Sequence, residues 1–263
     1  MEAAKLNYPG SKWLKHVALE QENELREHLP ETQCWSRSAL NAMLDRHETL
    51  FVKPSLGGGG WGIFKIERHG LLYRLMNKRR ILTYRNRDNL FRDVSRWIGR
   101  RRYLVQQGIS LMSIDRRPID FRILLLKPKE TWELMGVMAK CAARNKYVTN
   151  HCNGGSSLTV TQALAQSAGW SVDECREFET TLGDFGLHTA EAMQRHFPNV
   201  TELGLDAAVD EQRRLWLLEA NTRPHFELFR SHADRTLYNR IRALTRTLRA
   251  ARRLQLKHRA PLR

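Results

Sequence analysis

The chain is poor in cysteine and has no long apolar run. Its four cysteines are widely separated and form no C-x-x-C pair, which excludes both a common zinc-site spacing and a disulfide framework. No apolar stretch approaches the roughly 20 residues that a membrane-spanning helix needs. The first seven residues are polar and lack a signal-peptide pattern, so we expect a cytoplasmic protein. Its 263 residues can fold as one or two globular domains.

Three common nucleotide-binding motifs are also missing or incomplete. The glycine run at residues 57–62 is not followed by Gly-Lys-Ser or Gly-Lys-Thr, so it is not a P-loop. It matches G-x-G-x-x-G, but a strand follows it instead of the helix that a dinucleotide-binding fold requires. The triplet at residues 184–186 spells Asp-Phe-Gly, yet the chain lacks the His-Arg-Asp and Ala-Pro-Glu motifs of a protein kinase.

Acidic residues are scarce in two segments, and these segments account for the net charge of +16. Residues 74–102 hold eleven Lys and Arg against two Asp, and residues 231–263 hold ten against one Asp. Each segment therefore carries +9, and the rest of the chain carries −2. Such segments attract nucleic acid, anionic lipid or acidic protein, although they also occur as solvated surface.

Two apolar segments in the last quarter of the chain carry isolated acidic and amide side chains. Residues 202–210 and 215–221 predict two strands joined by a polar turn. Strand alternation puts Glu219 and Asn221 on one face, and pairing brings Asp206 near both. Two carboxylates and an amide oxygen suit Mg²⁺, which completes its shell with phosphate and water. The alternative is a half-exposed hairpin with solvated acids.

The glycine run lies between two short apolar strands. Glycine allows backbone N–H groups to approach an anion closely. Lys53, at the end of the first of these strands, can reach a phosphate as a point charge. The run therefore predicts a phosphate-binding loop, with a flexible hairpin tip as the alternative.

The remaining pattern predicts a mixed α+β chain. Helices are predicted at residues 11–28, 36–47, 89–100, 171–182 and 188–196, and strands at 49–54, 62–68, 71–76, 80–84, 103–109, 120–126 and 132–140. A polar loop is predicted at residues 145–157. The C-terminal segment predicts a helix whose apolar stripe, Leu237, Ile241, Leu244 and Leu248, packs on the core. A free basic amphipathic helix at a membrane is the alternative.

Taken in order, the motifs resemble the ATP-grasp superfamily, and more closely its YheC/YheD group of endospore coat-associated proteins. The matching pieces span roughly residues 11–228. They are Ser11-Lys-Trp13, Leu29-Pro-Glu-Thr32, Lys53-Pro54 with its glycines, Asp120-Phe-Arg122, Glu202-Leu-Gly-Leu-Asp206 and Leu218-Glu-Ala-Asn221.

This resemblance implies an α+β ATP-grasp fold in which two lobes with antiparallel sheets grip ATP. It implies a helical segment at residues 1–48, a small lobe with the glycine loop at 49–104, a large lobe with the Mg²⁺ site at 105–230, and a basic C-terminal helix at 231–263. Many ATP-grasp enzymes have an additional N-terminal domain, for which this chain leaves almost no room.

Individual roles follow from the same resemblance. Lys53 is expected at the α- and β-phosphates, the glycines form a lid over them, and the glutamine pair with Ile109 forms the hinge that meets adenine. The residues implied in nucleotide binding are Lys12, Lys53, Gly57, Gly58, Gly59, Gly60, Gly62, Gln106, Gln107, Ile109, Asn150 and Asn153. Asp206, Glu219 and Asn221 are implied as ligands of Mg²⁺, with two ions in the active complex. Arg122, Lys140, Arg144 and Arg223 are implied as catalytic or substrate-binding residues.

The activity that the resemblance implies is a Mg-ATP-dependent ligase acting through an acyl phosphate. Its substrates would be a small-molecule or peptide carboxylate and an amine, or a thiol. The alternative is a non-catalytic ATP-grasp-like protein that serves in an assembly such as the spore coat. A nucleic-acid-binding function rests on charge alone, because aromatic residues able to stack on bases, such as Trp97 and Tyr103, are few. Nucleic acid is therefore not the expected partner.

Overall fold

A computed structural model of the protein describes residues 10–77, 80–143 and 155–259, with the backbone alone at 255–259. Within these ranges the chain forms two compact units, Gly10–Ser110 and a second that begins at Leu111. Each unit is built on one six-stranded sheet with helices packed against it. None of the described helices is long and apolar enough to cross a membrane.

The first unit contains a fully antiparallel sheet. Its strands, in chain order, are β1 (Thr32–Cys34), β2 (Thr49–Pro54), β3 (Phe64–His69), β4 (Leu72–Met76), β5 (Ile81–Tyr84) and β6 (Tyr103–Gln107). In space they are ordered β1-β6-β2-β3-β4-β5. The predicted strands are confirmed in number and place, and the short β1 is an addition that pairs with β6.

Two amphipathic helices, α3 (Arg37–Arg46) and α4 (Arg87–Ile98), bury their apolar faces on this sheet. Each begins directly after a capping side chain: the Ser36 hydroxyl accepts a hydrogen bond from Ala39 N, and the Asn86 side chain accepts from the first turn of α4. The resulting core joins both helices to β2, β3, β4 and β6. This core fixes the strand that carries Lys53.

The prediction of one continuous helix at residues 11–28 is wrong. It breaks into α1 (Lys12–Glu20) and α2 (Asn23–Arg26), with Glu22 in an extended conformation between them. Leu19 and Leu25 are both buried, with 3% and 1% of their surface exposed. They lie about 120° apart around a continuous helix, so the break lets both side chains reach the core.

The second unit is also built on an antiparallel sheet. Its strands are β7 (Ser113–Ile114), β8 (Arg117–Leu126), β9 (Glu133–Cys141), β10 (Ser156–Leu158), β11 (Glu202–Val209) and β12 (Leu215–Asn221). They are ordered β10-β9-β8-β11-β12, with β7 paired to β8 at one end. The predicted pairs at 120–140 and 202–221 are confirmed. The strand β10 lies partly within the predicted polar loop.

Helices cover both faces of this second sheet. Helices α5 (Val160–Ala168) and α6 (Val172–His196) pack on one face. A 3₁₀ helix (Glu227–Ser231) and the C-terminal α7 (Arg235–Arg259) pack on part of the other. The predicted apolar stripe of α7 is confirmed in this core, where Ile241 is fully buried.

The predicted break of a helix at the Asp-Phe-Gly triplet is wrong, because α6 runs without interruption from Val172 to His196. Its glycines are explained by packing and not by a turn. A β-carbon at Gly183 would lie 2.8 Å from Leu134, and one at Gly186 would lie 2.7 Å from Ile123. Glycine therefore lets α6 approach the sheet closely.

Candidate functional site

A row of charged side chains crosses one face of the second sheet. Alternation along β8 puts Asp120 and Arg122 on the same face, and the register places them opposite Lys140 of β9 and Asp206 of β11. Asp206 in turn lies opposite Glu219 of β12. Five ionisable groups from four neighbouring strands are thus aligned by strand register alone.

Asp206 lies at the centre of this row and accepts hydrogen bonds from two cations. Its Oδ1 is 2.9 Å from the Arg122 guanidinium and 2.7 Å from the Lys140 ammonium. Its Oδ2 is 3.3 Å from the amide nitrogen of Asn221. We refer to Asp120, Arg122, Lys140, Asp206, Glu219 and Asn221 as the charged row.

Ion pairing keeps the central groups ionised despite burial. Burial raises the pKa of Asp206, but the charges of Arg122 and Lys140 outweigh it and lower that pKa to about 2. Burial also opposes the positive charge of Lys140, while Asp120 and Asp206 raise the pKa of its ammonium above the usual value. Burial likewise opposes the positive charge of Arg122, and Asp206 outweighs this effect and raises the pKa of the guanidinium.

Asp120 is a member of the row that the sequence placed in a matching motif but to which it assigned no role. It lies 2.9 Å from Lys140, and the two residues are only 3% and 4% exposed. Asp120 and Asp206 therefore hold the Lys140 ammonium from two sides. The available signal was its position two residues before Arg122, which puts both side chains on one face of a strand.

The Glu-x-Gly-x-Asp motif of β11 has a separate structural reason at each position. Glu202 is buried and accepts a salt bridge from Arg249 of α7 at 2.8 Å. A β-carbon at Gly204 would lie 2.5 Å from Pro224 and 3.1 Å from Arg122, so only glycine leaves room for both. His225, the residue after Pro224, also fixes Arg122, because its carbonyl accepts a hydrogen bond from Arg122 Nη1 at 3.0 Å.

The donor set of the row fits a magnesium ion. Asp206 and Glu219 supply two carboxylates on adjacent strands, and Asn221 lies beside them on the same face. A half-turn of the Asn221 side-chain amide would exchange its nitrogen for an oxygen donor near Asp206 Oδ2. Two carboxylates and one amide suit an ion that takes few protein ligands and keeps phosphate and water oxygens. In the described part of the chain, no group of three or more His, Cys, Asp and Glu is arranged to hold a metal by itself.

In the first unit, Lys53 is fixed by a chain of hydrogen bonds. Its ammonium donates to Gln106 Oε1 at 2.6 Å, Gln106 Nε2 donates to Thr32 Oγ1 at 2.9 Å, and Thr32 donates to the Pro30 carbonyl at 2.8 Å. Lys53 and Gln106 are each 9% exposed. The Gln106 side chain thus positions Lys53, which sequence reasoning did not foresee when it assigned Gln106 to the hinge.

The Leu-Pro-Glu-Thr segment continues this network with Glu31. Its carboxylate accepts hydrogen bonds from Arg46 and from His47 at 2.7 Å, and its backbone pairs with Gln107. The hydrogen bond from Arg46 is the largest influence and lowers the pKa of Glu31 to about 2, against a contribution from burial. Glu31 therefore joins the end of α3 to the end of β6.

The glycine loop begins beside the start of α1. Lys12 donates from its side chain to the Gly57 carbonyl and from its backbone to the Ser55 carbonyl. Gly57, Gly59, Gly60 and Gly62 have positive φ angles. A β-carbon at Gly62 would also lie 2.6 Å from the Tyr103 hydroxyl. The loop therefore requires glycine for its backbone conformation.

Of the other predicted site residues, some lie in the described part of the chain and some lie outside it. Arg223 is exposed, and among the described residues its side chain has no ion pair. Gly58 has open space around it, and Ile109 follows β6 and is half-buried. Arg144, Asn150 and Asn153 lie outside the described residues. The nucleotide, metal and catalytic roles of all these residues stay predictions.

Comparison with protein families gives a match over nearly the whole chain. The family described as YheC/D like ATP-grasp matches residues 6–251. The chain is 25% identical to the endospore coat-associated protein YheD of Bacillus subtilis (strain 168) over 232 residues, which cover 85% of this chain and 50% of YheD. It is 22% identical to YheC of the same organism over 224 residues, which cover 81% of this chain and 59% of YheC. The chain thus spans about half of the length of these relatives.

Solved structures of ATP-grasp enzymes share the fold. D-cycloserine synthetase DcsG has a TM-score of 0.56 at 12% identity, covering 91% of this chain and 70% of its own. D-alanyl-alanine synthetase A from Vibrio cholerae O1 biovar eltor str. N16961 has a TM-score of 0.53 at 11% identity, covering 91% and 65%. The ATP-grasp ligase PsnB complexed with minimal precursor has a TM-score of 0.51 at 11% identity, covering 89% and 60%. At these identities the likeness establishes the fold and not the reaction.

Proposed function

Since the chain belongs to the YheC/D-like ATP-grasp family, we propose that it is a Mg-ATP-dependent ligase that joins a carboxylate to an amine or a thiol. The carboxylate and the acceptor would be small molecules or peptide groups, because the neighbouring structures include synthetases of small molecules and a ligase complexed with a precursor.

The observation that carries this proposal is the charged row. Arg122 and Lys140 place two positive charges within 2.9 Å of an acid that also faces Glu219. Phosphoryl transfer needs in-line positioning and neutralisation of charge more than covalent help from the protein. Side chains already held in place by burial and ion pairs lose little freedom when the reaction proceeds.

Three residues of the row would hold magnesium. Asp206, Glu219 and Asn221 form the fitting donor set, and a second ion would share the same acids. Bound magnesium would neutralise negative charge on the phosphate oxygens during transfer of the γ-phosphoryl group. Asp120 would help to keep Lys140 at Asp206.

The proposed reaction has two balanced steps. The substrate carboxylate oxygen forms a bond to the γ-phosphorus while the bond to the β-phosphate oxygen breaks, which releases ADP and leaves an acyl phosphate. The amine or thiol then bonds to the acyl carbon, phosphate leaves with the bonding pair, and the attacking group loses a proton. Arg122 presents a planar fork suited to the phosphate or to the carboxylate.

Residues of the first unit would bind the nucleotide. Lys53, positioned by Gln106, would contact the α- and β-phosphates, with Lys12 on the same side of the nucleotide. The glycines would close over the phosphates and exclude water, which protects an acyl phosphate from hydrolysis. Gln107 and Ile109 would meet adenine through backbone atoms.

The test measures ADP release with ATP, Mg²⁺ and a mixed pool of amino acids and peptides, followed by the mass of the product. We expect turnover that requires both Mg²⁺ and a substrate pair. Glu219→Gln and Lys53→Met should each lower turnover by at least about a hundredfold while the protein stays folded, because the first removes a proposed ligand of magnesium and the second removes a positive charge that would face phosphate.

Matched controls are Glu211→Gln in the β11–β12 turn and Lys129→Met in the β8–β9 turn, both at exposed positions. These variants remove the same charges and should keep full turnover. Undiminished activity of both site variants would disprove the assigned roles.

The names of the relatives favour a second candidate. YheD and YheC are called endospore coat-associated proteins, so a non-catalytic ATP-grasp-like protein in a comparable assembly is the alternative. It predicts nucleotide binding with no product across the whole substrate pool. The charged row favours the enzyme, since a protein without catalysis has no evident use for buried ionised groups that need this much compensation.

A further inference from the structure

The arginines of α7 fall into two sets. Arg240 and Arg249 reach back to the sheet and form ion pairs with Glu133 at 3.0 Å and with Glu202 at 2.8 Å. A second set, Arg235, Arg242, Arg246 and Arg253, is exposed. In the described part of the chain, no carboxylate is paired with any of these four side chains. We call the second set the arginine stripe.

Helix geometry makes the arginine stripe a straight line. Successive members are seven, four and seven residues apart. At 100° per residue, all four project within about 40° of one another, and the stripe extends for about 27 Å along the helix. It lies about opposite the apolar stripe of α7, which is anchored in the core by Leu237 and Ile241. Packing of one side of the helix therefore turns the arginines outward.

The stripe has no acidic neighbours along its own helix, because α7 contains no Asp or Glu. Its flank is mostly small and weakly polar, with Asn239, Ala243 and Ala250 at exposed positions and one exposed leucine, Leu254, near the C-terminal end. Four guanidinium groups so close together repel each other, and an extended anionic partner would relieve that repulsion.

From this arrangement we propose that α7 is a peripheral docking surface for membranes rich in anionic phospholipid. A helix that lies on a plane touches it along one line, and the arginine stripe occupies such a line on α7. Every guanidinium can then reach a lipid phosphate at once without bending the helix. This contact is independent of ATP and goes beyond the proposed ligase activity.

The side chains beside the arginine stripe determine the type of contact with the membrane. Along most of its length the flank carries Asn239, Ala243 and Ala250 in place of large apolar groups that would insert between lipids, and Leu254 is one exposed leucine near its end. Binding is therefore mainly electrostatic, reversible and weakened by salt. The same flank disfavours single-stranded nucleic acid, whose bases stack on exposed aromatic side chains.

The test is co-sedimentation of the full chain with phosphatidylcholine vesicles that either contain or lack phosphatidylserine. We expect binding to the anionic vesicles at low salt, release at high salt, and no binding to the neutral vesicles. Replacing all four stripe residues by Gln should weaken partitioning on the order of several hundredfold, since each arginine near an anionic surface contributes roughly a fivefold factor.

A matched control removes the same charge from the first unit. The quadruple variant of Arg85, Arg96, Arg100 and Arg102 to Gln changes four exposed arginines. It should keep most of the vesicle binding, and a stripe with all four residues changed to Lys should keep it too. Thermal unfolding of each variant verifies that the protein is folded.

Three results would overturn the proposal. They are no binding of the unmodified protein to anionic vesicles, equal losses in the stripe and control variants, and stripe-dependent binding to duplex DNA without binding to vesicles. Because ATP turnover is measured separately, failure of the ligase proposal leaves this test unaffected.

Discussion

Asp120 and Lys140 form an ion pair that is almost completely removed from solvent. Removing one partner of a buried pair leaves the other charge without compensation. Asp120→Asn should therefore destabilise the protein, by about 2–3 kcal/mol, because Lys140 keeps its contact with Asp206. Urea denaturation measures this loss. The control Asp115→Asn changes an exposed acid paired with partly exposed Arg117 and should cost less than about 0.5 kcal/mol.

An equal effect of the two substitutions would show that Asp120 is not a buried structural charge. Turnover adds a second readout. If Asp120 positions Lys140, its variant lowers the maximal rate more than it alters the apparent affinity for ATP.

Glu31 should make stability depend on pH in the acid range. Its pKa is lowered from an ordinary value of 4.5 to about 2 by Arg46 and His47. A group with a depressed pKa in the folded state stabilises the protein above its unfolded pKa, and this contribution is lost as the pH falls towards 2. Glu31→Gln should therefore reduce the slope of unfolding free energy against pH below about pH 4.5. The reduction should correspond to the uptake of up to about one proton on unfolding.

Denaturation series at several pH values check this expectation. Glu130→Gln, at an exposed turn position, serves as the control and should leave the slope as it is. A slope unchanged by Glu31→Gln would mean that its ion pairs contribute nothing to folding.

At the scale of elements, α7 is held to the sheet by a salt bridge to a buried carboxylate as well as by its apolar stripe. Arg249 donates to both carboxylate oxygens of Glu202, which is 2% exposed, and to the Pro224 carbonyl. Arg249→Met should cost about 3–5 kcal/mol in unfolding free energy, because Glu202 would remain buried and charged. The exposed Arg246→Met should change it by less than about 0.5 kcal/mol.

The double variant Glu202→Gln with Arg249→Met separates charge from packing. It removes the unpaired charge, so it should recover a large part of the stability lost in Arg249→Met alone. A double variant as unstable as the single one would place the cost in packing and not in the buried carboxylate.

The β11–β12 hairpin shows how an element presents the site. Asp210 accepts hydrogen bonds from the backbone of Gln212 and Arg214 and thereby closes the turn. A bulge between Asp206 and Ala207 then adjusts the pairing with β12. Glu219 lies opposite Asp206 because of this register, and the bulge sits where it can re-aim the acid.

For the whole molecule, ligand binding should appear as added stability. A ligand that binds only the folded state raises the unfolding free energy by about 2.7 kcal/mol at a hundred times its dissociation constant. ATP with Mg²⁺ should therefore shift the denaturation midpoint of the protein upward. Glu219→Gln should lose the part of the shift that depends on Mg²⁺ and keep the part due to nucleotide alone, since Lys53 and the glycine loop are unchanged.

Magnesium without nucleotide is the control for non-specific effects of the ion. No shift with ATP in any combination would contradict both the ligase proposal and the non-catalytic alternative.

The positive charge of the whole molecule is concentrated in two segments that are neutralised to different extents. The net charge of +16 comes from two segments, of which one provides α4 and its flanks and the other provides α7. The first segment is partly neutralised by side-chain pairs such as Arg87 with Asp45. In α7 the sheet neutralises only those arginines that face it, which leaves the arginine stripe.

Local patterns in the sequence were enough for much of the fold. Strand alternation with a polar turn predicted the β11–β12 hairpin and the approach of Asp206 to Glu219, because the register of a hairpin is set by residues close along the chain. The apolar period predicted that α7 docks by one stripe. The order of weak motifs indicated the family, which no single motif could do.

Contacts between distant segments were decided only in the folded molecule. Arg122 meets Asp206 across 84 positions and Lys53 meets Gln106 across 53, and both pairs depend on which strands become neighbours in a sheet. The continuity of α6 through Gly183 and Gly186 was decided in the same way, since glycine is unfavourable in an isolated helix but allows close packing on β8 and β9. Local sequence determines periodicity and turns, whereas strand order and close packing are selected by the burial of the whole core.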